Sequence, residues 1–167
     1  MVQDNNQISF GGRICMILLF VSIAIFIAII FIMPKRLTMI EYYATSLSSI
    51  ILQLLTDLYL EFKYHLYGYF SSQIDWISLL IFFFIYPPVN IIFLNFYPYK
   101  SKILKKSLFL SFWVIFSVSY EWVAVKTEFF YYSGWKLWYS AIIYPVLFII
   151  LLLNLKLVRL ITKFNYD

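Results

Sequence analysis

Gln53, Asp57, Glu61 and His65 stand at successive steps of four residues, a spacing that lays four polar side chains along one face of a helix. An amide, two carboxyls and an imidazole in such a row offer hydrogen bonding, proton exchange, or oxygen and nitrogen ligands for a divalent metal. Glu121 lies apart from them, inside an otherwise apolar stretch. There an acid must turn away from lipid and meet a donor, a proton or a cation. Asp57, Glu61, His65 and Glu121 have the ligand types a metal needs, but no recognised spacing such as a helical H-E-x-x-H supports one, and no metal or cofactor is expected. One histidine, with no activated serine or cysteine beside an acid, gives no catalytic residue to name. The expectation is a non-enzymatic protein, with a membrane-embedded lipid-processing enzyme as the least favoured reading.

The elements that carry these residues follow from composition. The chain has 167 residues, 63% hydrophobic and 13% charged, against roughly half apolar and a quarter charged in a soluble domain. Long apolar runs without alternation read as helices in lipid, because hydrocarbon leaves no other way to satisfy the backbone. A bilayer core of about 30 Å takes about 20 helical residues, and five segments qualify: 14–33, 39–60, 74–96, 108–125 and 137–155. The fold class expected is therefore all-α, one integral membrane domain over residues 1–167 formed by a bundle of five transmembrane helices. A signal peptide is the competing reading of the first run. The length of that run, the lack of a small-x-small site and the basic residues placed after it argue against cleavage. Cys15, the single cysteine, is read as packing. Pro87 and Pro88 remove two donors from the middle of the third segment and predict a kink.

Orientation rests on lysine and arginine. One side of a five-span topology carries Arg13, Lys63, Lys126 and Lys136; the other carries Lys35, Arg36, Lys100, Lys102, Lys105, Lys106, Lys156, Arg159 and Lys163. The richer side belongs in the cytoplasm, which puts the N-terminus out and the C-terminus in. Because the basic residues cluster at the ends of apolar runs, the net charge of +5 points to anionic headgroups and not to nucleic acid. Tyrosines and tryptophans gather at the outer ends, Trp76, Trp122, Trp135 and Trp138 with Tyr59, Tyr64, Tyr131 and Tyr132, and read as an interfacial belt. The aromatic loop from Lys126 to Trp138 is expected to lie flat at the interface.

Counted at about 1.5 Å per residue, Asp57 lies about 27 Å up the second segment and Glu121 about 20 Å up the fourth. Both segments run the same way. The two acids are thus expected at comparable depth, in one outward-facing polar pocket with Gln53 and Asn90 as neighbours and Glu61 and His65 at its rim. The first and last segments carry no acid in this reading and are expected to face lipid.

Three stretches resemble a known group: Asp57-Leu58-Tyr59 leading to Lys63-Tyr64 and Tyr67-Gly68-Tyr69-Phe70; Asn95-Phe96-Tyr97-Pro98-Tyr99; and Glu121-Trp122 leading to Tyr132-Ser133-Gly134-Trp135 and Trp138-Tyr139-Ser140. Together they resemble a family of small, uncharacterised multi-pass membrane proteins of Gram-positive, often spore-forming, bacteria. The resemblance covers Asp57 to Ser140 and implies a bacterial cell membrane and a single helical domain. It implies no activity. The expected function is binding or passage of a proton, a cation or a lipid headgroup at the acidic pocket. The alternative is a structural or assembly subunit of a larger membrane complex. Partners expected are the lipid bilayer and either further copies of the chain or other membrane subunits.

Overall fold

The computed structural model describes residues 10–69, 76–127 and 130–164. The expected start of the third segment at Ile74, and Phe70 of the resemblance, lie outside the described residues, as do the side chains of Arg13, Cys15, Trp76 and Lys163. The chain is mostly helical: α1 is Phe10–Ile32, α2 Met39–Asp57, α3 Trp76–Phe84, α4 Tyr86–Phe96, α5 Ile103–Lys126 and α6 Leu137–Phe164. A π-helical turn, Leu58–Lys63, continues α2, and two short strands, β1 Tyr67–Tyr69 and β2 Phe130–Tyr132, pair with each other. Among the described residues, three stretches are long and apolar enough to cross a membrane: Leu79–Phe96 across α3 and α4, Ile103–Lys126 and Leu137–Thr162.

Helix α2 turns its polar side inward. Thr38 opens it with a capping box, its Oγ1 accepting from the Glu41 N–H while Glu41 Oε2 accepts from the Thr38 N–H, which satisfies donors that the first turn leaves bare. From there Glu41, Thr45, Ser49 and Asp57 are buried, while Tyr43, Leu47, Ile51, Leu54 and Leu58 are exposed on the opposite side. In water the two stripes would be exchanged. Polar inside and apolar outside is the pattern of a helix in hydrocarbon, where a polar group costs least against another helix. A four-residue step drifts by about 40° on a helix of 3.6 residues per turn, so the polar stripe winds. It meets α6 near Glu41, α4 near Thr45 and β1 at Asp57.

The third segment is broken where the prolines fall. Helix α3 ends at Phe84, Ile85 takes φ −112° and ψ −55°, and Pro87 and Pro88 lie in the first turn of α4, where a missing N–H costs nothing. Helix α4 is then the centre of the molecule, with Pro87, Pro88 and Asn90 to Asn95 all buried. Phe93 sits at its middle, with ring centroids 4.5 Å from Phe148 of α6 and 5.7 Å from Trp113 of α5. Those offset and edge contacts tie three helices by ring packing. The outer sides of α5 and α6 stay apolar and exposed: on α6 the row is Trp138, Ile142, Val146, Ile149, Leu153, Leu157 and Leu160.

The two ends of the bundle are closed differently. At the end holding the N-terminus of α2, Asn95 fastens the α1–α2 link: its Nδ2 donates to the Pro34 carbonyl at 2.9 Å and its Oδ1 accepts from the Arg36 N–H at 2.8 Å. Arg159 of α6 pairs with buried Glu41 at 2.6 Å and lies over the Tyr99 ring at 4.8 Å. Burial pushes the Tyr99 hydroxyl up to about 12, against the pull of Arg159. At the other end stands the strand pair, with Tyr67 opposite Tyr132, Gly68 opposite Tyr131 and Tyr69 opposite Phe130. Strands this short give no alternation to read from sequence, so the all-α expectation missed them. The loop after β2 is hooked down as well: the N–H groups of Ser133, Gly134 and Trp135 all donate to the Leu66 carbonyl. Part of the loop expected to lie flat is therefore folded onto the bundle.

Replacing Asn95 by Leu removes both loop bonds at a fully buried site. Two lost hydrogen bonds and two orphaned backbone groups should cost about 2–4 kcal/mol, read as a clear fall in unfolding temperature in detergent or nanodiscs. An unchanged melting temperature would show that the Asn95 contacts do not hold the loop.

Candidate functional site

Glu121 is 7% exposed on α5, and both its oxygens are occupied by hydroxyl donors. Oε1 accepts from Tyr132 of β2 at 2.6 Å and from Ser140 of α6 at 2.7 Å, and Oε2 accepts from Tyr144 of α6 at 2.6 Å. The direction of one branch is fixed by chemistry. The Trp135 indole N–H can only donate and does so to Ser140 Oγ at 2.8 Å, so the Ser140 proton is turned to Glu121. Ser140 and Tyr144 are one helical turn apart, which sets both on the same face of α6.

Asp57, 1% exposed, is the second acid of the site. Its Oδ1 accepts from Gln53 Nε2 at 2.8 Å and from the Tyr67 hydroxyl at 2.6 Å. The π-helical turn makes this reach possible: it widens α2 just past Asp57, and His65 at φ 52° then reverses the chain into β1. A left-handed residue at a helix end is a common reversal, and histidine tolerates that conformation better than most. Tyr67 and Tyr132 are direct cross-strand partners, so one residue pair of the small sheet caps both acids. Burial, followed by the nearby carboxylates, raises the Tyr67 hydroxyl far above its usual value. Tyr132 is raised by burial and by its bond to Glu121.

Two cavities lie beneath the strands. The larger, about 180 Å³, is bounded by Glu121, Asn90, Gln53 and Ser49 among mostly aromatic and aliphatic walls. The smaller, about 70 Å³, is lined by Gln53 and Tyr67, both donors to Asp57, and by Glu121, Ser140 and Tyr144, with Tyr86 shared by the two. Glu121 lines both cavities, whereas Asp57 and Glu61 line neither; Asp57 is connected to the smaller one only through its donors Gln53 and Tyr67. Asn90, 2% exposed, donates from Nδ2 to the Thr45 carbonyl at 2.9 Å. Glu61 is half-buried in the π-helical turn, near enough to Tyr67 to add to its shift. His65 is exposed and lines neither cavity; its backbone, not its imidazole, serves the site. Among the described residues no three His, Cys, Asp or Glu side chains cluster as metal ligands.

The expectation that the first and last apolar segments only face lipid is corrected here. Helix α6 supplies Ser140 and Tyr144 to Glu121, and α1 supplies buried Ser22, which accepts from Tyr120 at 3.0 Å. The hydroxyl donors Tyr67, Tyr132, Ser140 and Tyr144 were not foreseen. The four-residue step from Ser140 to Tyr144 inside the last apolar run was a usable signal, as was the same step carried back from Gln53 to Ser49, Thr45 and Glu41. Scans against family models, curated proteins and solved structures find no match to this chain.

Tyr67→Phe and Tyr132→Phe should each lower the unfolding free energy by about 1–2 kcal/mol, the scale of a hydrogen bond within a membrane protein. Alkali provides a second check. Unfolded tyrosine ionises near pH 10, whereas Tyr99, Tyr67 and Tyr132 are all raised in the folded chain. Stability from these groups is fully present below about pH 10 and falls as pH rises through the folded value, about 12 for Tyr99. Ultraviolet titration of tyrosinate alongside melting temperature measures this. Ionisation of all three near pH 10 without unfolding would contradict the burial described.

Proposed function

We propose that the chain is a non-enzymatic multi-pass protein of a bacterial cell membrane that binds a cation or passes a proton at the acidic cavity. In this reading α3 and α4 form a single span, and five spans place the N-terminus outside and the C-terminus in the cytoplasm. The reversed polarity of α2 supports its place inside the bilayer despite its two acids. The lysine and arginine asymmetry supports the orientation, which sets the strand pair and the cavities on the outer side. The resemblance to small membrane proteins of Gram-positive bacteria accords with it.

One observation carries the functional reading. Glu121 is buried in a helix long enough to span, and among the described residues its partners are hydroxyls and no basic side chain reaches it. Hydroxyl donors orient a carboxylate but bring no positive charge to balance it, so the cavity beside it attracts a proton or a cation. The primary ammonium of a lipid headgroup has the same charge and chemistry. A second reading, an assembly subunit, draws on a different fact: the same bonds join α5, β2 and α6, so Glu121 also fastens helices together.

Glu121→Gln separates the two readings, because the amide oxygen still accepts hydrogen bonds while the charge is gone. The expected outcome is a folded, inserted protein whose melting temperature in nanodiscs no longer responds to cations. Loss of assembly with unchanged cation response would favour the subunit reading. Orientation has its own test. In a Cys15→Ser background, Lys63→Cys should react with an impermeant maleimide on intact cells and Lys102→Cys should not, both lysines being exposed; the reverse pattern would invert the topology.

A further inference from the structure

We infer that the larger cavity is a binding site for a small organic cation, a primary ammonium on an apolar body of about one ring. The inference rests on the cation reading of the same site and names the class of cation. It begins with an unfilled acceptor. The Thr45 carbonyl can only accept, so Asn90 must present its Nδ2 there. That fixes the amide orientation and leaves Asn90 Oδ1, buried on a residue lining the cavity, without a hydrogen bond. Native structures seldom leave such an atom orphaned, and each case calls for a cause.

The second acceptor is Glu121. A carboxylate has about four lone-pair sites, and Tyr132, Ser140 and Tyr144 use two on Oε1 and one on Oε2. One site on Oε2 is left. Three hydroxyls around the cavity already spend their protons within the protein: Ser49 donates to the Ser46 carbonyl, Tyr120 to Ser22 and Tyr144 to Glu121. The cavity therefore selects a guest rich in donors and positive in charge.

The walls decide between an inorganic and an organic cation. Phe26, Tyr86, Phe116, Phe130 and Phe148 line the cavity with several aliphatic side chains. A bare metal ion needs about six oxygens to replace its hydration shell; Glu121 and Asn90 provide two. An ammonium needs only a few acceptors for its N–H groups, gains from aromatic faces, and brings an apolar body for the remaining walls. The volume of about 180 Å³ sets the size, since a cavity of about 150 Å³ holds benzene.

The test is binding of 2-phenylethylamine, with neutral 2-phenylethanol as its isostere, to the full chain in phosphatidylcholine nanodiscs, followed by calorimetry and melting temperature. Phosphatidylcholine has no primary ammonium, so adding phosphatidylethanolamine in a further arm asks whether a headgroup competes for the site. The amine should raise the melting temperature and bind at least about tenfold more tightly than the alcohol. Glu121→Gln and Asn90→Leu should each weaken it about tenfold. Should Asn90→Leu not fold, Ser117→Leu, on the cavity wall contributed by α5, narrows the site and should weaken binding equally. The inference is overturned if amine and alcohol bind alike, or if the amine keeps its affinity in the cavity variants. A response to sodium or pH without one to the amine overturns it and leaves the proposed function standing. No response of the unaltered chain to amine, sodium or pH overturns both.

Discussion

A buried polar group must find its hydrogen-bond partners within the protein, and the polar groups of this chain are arranged around that need. Glu121 shows it most plainly. Held by Tyr132, Ser140 and Tyr144, it draws a strand and a neighbouring helix toward α5. Trp135 is drawn in behind Ser140, and Leu66 anchors the loop that carries Trp135. The small sheet, three residues on each strand, would not stand alone. It persists because its cross-strand pair Tyr67 and Tyr132 is bonded to two buried acids. The acids specify the sheet, and the sheet in turn fixes the hydroxyls that hold the acids.

The bundle therefore combines two kinds of cohesion. Around Phe93 the helices meet through aromatic rings, whose packing tolerates small shifts because no single contact dominates. Beneath the strands they meet through directional bonds that fail when an atom moves by an ångström or so. The cavity lies where these regimes meet, with Phe148 and Phe116 on one wall and Glu121 on another. Such a mixture of apolar enclosure and a few placed acceptors is how binding sites for small molecules are built.

Much of the architecture was legible in the sequence because it depends on local rules. Apolar run length marked the helices, Pro87 and Pro88 marked the break at Ile85, and the step of four marked Gln53 as a partner of Asp57. Glu121 stood out because an acid in an apolar run is costly wherever the rest of the chain goes. The donors to Glu121 were not legible. A tyrosine that anchors at an interface and one that caps a buried carboxylate look the same in sequence, and Tyr132 fits the first pattern while doing the second. Arg159 was counted as a topological charge, although it also pairs with Glu41, 118 residues away, a separation no local pattern encodes. The spacing of His65 points to its imidazole, whereas its contribution is a left-handed backbone. Sequence reasoning found the groups that need partners more readily than the groups that answer the need.

The position of α6 in the chain has a consequence for biogenesis. A ribosome makes α2 and α5 before α6, yet α6 holds Ser140 and Tyr144 for Glu121 and Arg159 for Glu41. While the nascent chain is still short of that helix, Glu41 lacks Arg159 and Glu121 lacks two of its three hydroxyl donors. Helix α5 thus carries a buried acid whose remaining partners come from its successor, which couples the folding of the two. A product halted before α6 would leave Glu121 with Tyr132 alone of its three donors and Glu41 with only the Thr38 N–H. Completion of the chain is in this way written into the partners of its buried acids.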